Sequence, residues 1–142
     1  MKNLLVLLAL LVTTAGNADT LKDKGEAKEL AHSVMVLVGK GKTVEGLTLT
    51  KPFLIIPSHE FEGVLNSLKM QQPIMDQRFG KTIGMELSHI EEVGESLMLI
   101  SYIQKFEKHV MRWKFYFYKP KNRWVLNTFK TDDSIALMFG GY

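Results

Sequence analysis

Apolar residues recur every third or fourth position in the first part of the chain and every second position in its last part. Over residues 20–38, Leu21, Ala27, Leu30, Ala31, Val34 and Val38 keep helical spacing, with Thr20 as N-cap and Gly39 as the stop. Gly39, Gly41 and Gly46 then loosen the chain as far as Pro52 without a clear period, which reads as a loop. A second helix starts at Pro57-Ser58, with Ser58 capping and Phe61, Val64, Leu65 and Leu68 on one face. Pro73 is expected to kink or divide it before Arg78-Phe79-Gly80 closes the element.

Beyond Gly80 the period falls to two, predicting four antiparallel strands around three turns. A two-residue loop at Val93-Gly94 sets Leu87 against Ile100 and Met85 against Tyr102. A turn at Lys108-His109 sets Phe106 against Met111, Gln104 against Trp113, and Tyr102 against Phe115. Both turns gather the same residues on one face: Ile83, Met85, Leu87, Met98, Ile100, Tyr102, Phe106, Met111, Trp113, Phe115 and Phe117. The other face mixes Glu86, Ser88, Ser101, Lys105, Arg112 and Lys114 with Leu97, Leu99, Ile103, Tyr116 and Tyr118. Residues 123–130 return as a fourth strand whose two faces are similarly apolar, with Trp124, Leu126 and Thr128 preferred inward. Asp132 or Asp133 then caps a short last helix through Ile135, Leu137 and Phe139.

The first residues change this picture. Lys2 precedes an apolar run over residues 4–12, and Gly16-Asn17-Ala18 is a small-x-small site. Residues 1–18 therefore read as a signal peptide, too short in its apolar part for the roughly 20 residues of a membrane span. Cleavage before Asp19 leaves residues 19–142 as one domain, exported to the periplasm or secreted, with no stable membrane anchor. The chain has 142 residues and no cysteine, so disulfides, thiolate nucleophiles and thiolate metal sites are excluded. A formal net charge of +3 is too small to argue for nucleic acid. The Trp113–Tyr118 aromatics, interleaved with Arg112 and Lys114, are explained by strand alternation rather than base stacking.

The order of helices followed by a meander of long strands resembles the cone-shaped α+β fold shared by ketosteroid isomerase and nuclear transport factor. The string Arg78-Phe79-Gly80, Tyr102, Lys105-Phe106-Glu107-Lys108-His109, Arg112-Trp113, Phe117-Tyr118-Lys119-Pro120, Trp124 and Asp132-Asp133 also resembles a family of uncharacterised small exported bacterial proteins. The resemblance implies N-terminal helices packed on a curved four-stranded antiparallel meander, cone-like, with a short C-terminal helix. Dimerisation through the open sheet face is also implied by it. An isomerase would need an acidic base and a Tyr/Asp oxyanion pair inside the cone, a set that does not map onto this chain residue by residue.

Tyr102, Gln104 and His89 are the clearest hydrogen-bonding side chains on the apolar face. Buried polar groups need partners, so these either satisfy one another or border a cavity. With Trp113 and Phe115 they form the candidate ligand pocket. The outer Leu99, Ile103, Tyr116 and Tyr118 are the candidate interface, for a second copy or another protein. His32, His59, His89 and His109 show no metal-ligand spacing, and neither a metal nor a cofactor is expected. The expected function is an exported, non-catalytic domain binding a small apolar ligand in its cone or a protein partner on its sheet. The alternatives are an isomerase- or hydrolase-like enzyme using Tyr102 with a carboxylate such as Asp76 or Asp132, and a structural envelope or assembly factor.

Overall fold

The computed structural model describes residues 18–140; the signal-peptide reading, save for Ala18, and the last two residues lie outside them. Helices α1 (Lys24–Val38), α2 (Thr43–Thr48) and α3 (Ser58–Phe79) precede strands β1 (Thr82–Val93), β2 (Leu97–Phe106), β3 (Val110–Tyr118) and β4 (Val125–Asp132), and α4 (Ile135–Met138) ends the fold. The strands form one antiparallel sheet in the order β1-β2-β3-β4, giving the α+β class expected. No helix among the described residues is long and apolar enough to cross a membrane.

Helix α1 starts four residues later than Thr20 because Asp23 is the better cap. Its carboxylate accepts the Glu26 N–H at 2.9 Å, while the Glu26 carboxylate accepts the Lys22 N–H at 2.6 Å. Leu21 is thereby left extended, and it exchanges two backbone hydrogen bonds of 2.8 Å with Trp124 at the start of β4. The buried stripe of α1 is Ala27, Ala31, Val34, Met35 and Val38.

The stretch expected to be a loop contains α2. Its six residues are too few to show a period, and its reason for packing is Gly46: a Cβ there would meet the Val34 carbonyl oxygen at 2.7 Å. The missing side chain lets α2 lie against α1. Helix α3 runs without division through Pro73, which removes one backbone bond to the Lys69 carbonyl. Both residues face solvent, where water can take the freed oxygen. Ser58 does not cap with its side chain; the Pro57 carbonyl instead accepts from Glu60 and Phe61.

The first hairpin closes around Gly94-Glu95-Ser96, with Val93 opposite Leu97 and Gly94 at φ +58°, so the loop is one residue longer than Val93-Gly94. That places Ile90 against Ile100. A bulge between Leu87 and His89 then restores the expected parity, leaving Leu87 against Tyr102 and Met85 against Gln104. Ile83 falls in a second bulge and is largely exposed. The next turn reverses at Glu107-Lys108, where the Phe106 N–H donates to the His109 carbonyl at 2.9 Å. Backbone bonds from Glu107 to Lys81 and from Lys108 to Phe79 hold it against the end of α3. The pairing slides by two residues, to Tyr102 with Trp113 and Gln104 with Met111, so the face is unchanged and only the neighbours differ.

In β4 a bulge opposite Tyr116/Phe117 keeps Trp124, Leu126 and Phe129 on the core side and turns Thr128 outward, correcting its expected position. The core lies between the inner sheet face, led by Ile100, Trp113, Phe115, Phe117 and Leu126, and the buried stripe of α1 with Leu47, Leu54, Phe61 and Leu65.

Candidate functional site

Tyr102, Gln104, Trp113 and Phe115 are brought together on the inner face, and their polar atoms find partners within the fold. The Trp113 indole N–H donates to the Gln104 side-chain oxygen at 2.9 Å, and the Gln104 amide donates onward to the Thr82 hydroxyl at 3.0 Å. Trp113 lies stacked between Phe115 and Phe129, each ring centroid 6.4 Å away. Gln104, Trp113 and Phe115 are at most 1% exposed. Neighbouring Tyr102 directs its hydroxyl to Nδ1 of His32, an exposed residue of α1, at 3.4 Å. Burial pushes the Tyr102 phenol above its ordinary value of 10.0, so it remains a neutral donor. His89 stands apart from this group: the β1 bulge sends it to the outer face opposite Ser101, where Nε2 lies 3.4 Å from Glu91.

The outer face is ordered into rows by the register of β2, β3 and β4. Ile103, Arg112 and Asp132 make the first; Ser101, Lys114 and Lys130 the second; Leu99, Tyr116 and Thr128 the third; Leu97, Tyr118 and Val125 the fourth. All four interface candidates therefore share this surface. Two hollows lie on it. An apolar groove of about 460 Å³ is bounded by Val93, Leu97, Leu99, Tyr116, Tyr118 and Thr128, with Glu91 and Lys130 at its rim. A smaller, more polar hollow of about 240 Å³ lies between Ser88, His89, Ser101, Arg112, Lys114 and Met138, and shares Leu99 with the groove. A third hollow of about 440 Å³ separates α2 from α3 around Val44, Leu68 and Pro73.

Arg112 is fixed at the base of the smaller hollow. Its Nε donates to Asp132 at 2.9 Å and its Nη1 to the Leu137 carbonyl at 3.2 Å, which ties α4 to the sheet. The second carboxylate oxygen of Asp132 is buried without a partner. Neither carboxylate weighed as a catalytic base is hydrogen-bonded to Tyr102, whose hydroxyl meets His32: Asp132 is on the opposite face with Arg112, and Asp76 on α3 accepts from Gln72 at 2.7 Å. No three His, Asp or Glu side chains among the described residues are grouped to hold a metal ion.

Two features escaped the sequence. The outer hollows depend on the bulges, which have no signature in the alternation. The facing of Lys114 and Lys130 appears only once the β3–β4 register is known. Comparison with family models, with curated proteins and with solved structures returns no match for this chain.

Proposed function

We propose that this protein is an exported, non-catalytic binding domain of the cone-shaped α+β kind, and that it takes a small apolar ligand on the outer face of its sheet. The leader-like residues 1–18 support export. Helix α1, packed along the inner face of a four-stranded meander, supports the cone. The observation that carries the binding reading is the groove of about 460 Å³ between Leu97, Leu99, Tyr116 and Tyr118. Its volume falls within the roughly 300–1,000 Å³ of ordinary ligand sites, and it is mainly apolar with a few polar atoms at its rim. Leu97 and Tyr118 keep 47% and 40% of their surface exposed, apolar area that a ligand would remove from water. By contrast, the inner candidates have filled their own space and met their own hydrogen bonds.

Titration with the neutral fluorophore N-phenyl-1-naphthylamine tests this reading. A saturable rise in emission at about one equivalent is expected, lost in Leu99→Asp and retained in Tyr102→Phe. The reverse pattern would place the ligand on the helix side of the sheet and overturn the assignment. Absence of binding, together with a native mass of twice the chain that Leu99→Asp halves, would make the same face a homodimer interface instead.

A further inference from the structure

The groove does not end in apolar surface. At the row next to Tyr116 the sheet sets Lys114 directly opposite Lys130, two ammonium groups on neighbouring strands and the same face. Like charges in that relation repel and weaken a sheet. Neither lysine has an ion-pair partner among the described residues. Of the acidic groups on this surface, Asp132 is held by Arg112 and Glu91 leans on His89, while Glu86 stands on β1 at the Ile103 row, one row from Lys114, and forms an ion pair with neither lysine. Lys130 borders the apolar groove, Lys114 borders the polar hollow, and Leu99 lines both, so the two spaces adjoin.

We propose that the ligand of the groove is a single-chain amphipathic anion. Its carboxylate or phosphate lies between Lys114 and Lys130, within reach of the hollow containing Arg112 and Ser101. Its apolar chain runs over Leu99, Tyr116, Tyr118 and Leu97. The rows are about 7 Å apart, so an extended chain of ordinary length covers the distance from the lysines to Leu97. An anionic group at this position makes charge-assisted hydrogen bonds with both ammonium groups and removes their mutual repulsion. This inference rests on the outer-face reading and adds the chemical class of the ligand to it.

The test is calorimetric titration of the purified protein with dodecanoate, dodecyl phosphate and dodecan-1-ol, each as monomer. The two anions are expected to bind at least about tenfold more tightly than the alcohol, an advantage that shrinks as salt is raised. Replacing both lysines, Lys114→Gln with Lys130→Gln, is expected to abolish the advantage of the anions over the alcohol. Both are surface positions, and unchanged circular dichroism verifies the fold of the variant. A preference between the two anions identifies the head group, and either preference supports the proposal. Equal binding of anions and alcohol by the parent protein would overturn the head-group assignment while leaving the groove intact as a neutral apolar site. Failure of all three probes would remove both readings. Adsorption to phosphatidylglycerol vesicles without binding of monomeric dodecanoate would overturn the single-ligand proposal in favour of a membrane surface.

Discussion

The two faces of the sheet use the same strands and reach opposite results. On the inner face, large side chains close against the helices until Phe115 is 0% and Trp113 1% exposed, and the buried Gln104 amide accepts from an indole and donates to a hydroxyl. On the outer face, apolar residues are placed as generously, yet Leu97 and Tyr118 stay largely exposed, Leu99 and Tyr116 are half-buried, and among the described residues neither Lys114 nor Lys130 has an ion-pair partner. The contrast teaches that the polar groups noticed first, Tyr102 and Gln104, mark a finished interior. The proposed binding surface is the face behind them.

The comparison is broken most forcefully in the core. Phe115→Ala is expected to cost about 3–5 kcal/mol in urea unfolding, whereas Leu99→Ala on the other side of the sheet should cost no more than about 1 kcal/mol. Equal losses would mean that the outer face is also packed. Next in size is Arg112→Met, which strands Asp132 beneath α4 and is expected to cost about 3 kcal/mol; adding Asp132→Leu should restore much of it. Without that recovery in the double variant, the pair would not be the bond that holds α4 in place. The smallest effect is silent at neutral pH. Because burial raises the Tyr102 phenol in the folded protein, its contribution is complete below the unfolded value of 10.0 and is lost as pH climbs through the raised folded value. The parent should therefore lose more stability than Tyr102→Phe on alkaline titration, and parallel curves would show that the phenol is solvated.

Much of this architecture was legible because strand alternation is a strong signal. Met98, Ile100, Tyr102, Trp113, Phe115 and Phe117 lie on one face whichever way the second hairpin slides by two residues, so an error in the turn did not reach the core. Residue His89 shows the opposite case. A single extra residue near Ser88 moved it across the sheet, and a bulge leaves no mark in the polar pattern. Helix α2 stayed hidden because six residues carry little periodicity and its packing depends on the absence of a side chain at Gly46. The Lys114–Lys130 facing was illegible for a different reason: it joins positions whose partnership depends on both a turn and a bulge downstream.

The interrupted register of β1 also bears on how this protein behaves at high concentration. Strand β1 is an edge of the sheet, twelve residues long, and among the described residues its only strand neighbour is β2. A straight edge of that length would be a template on which another molecule could zip itself, the first step toward fibrous aggregates. The bulges at Ile83 and Ser88 put its outward N–H and C=O groups out of step, and Glu86 adds a charge on the strand that a second copy would have to meet with its own. At the far edge β4 is covered at its beginning by short bridges, from Leu21 to Trp124 and from Leu54 to Leu126. Straightening β1 by deleting Ser88 is therefore expected to make the chain more prone to polymerise.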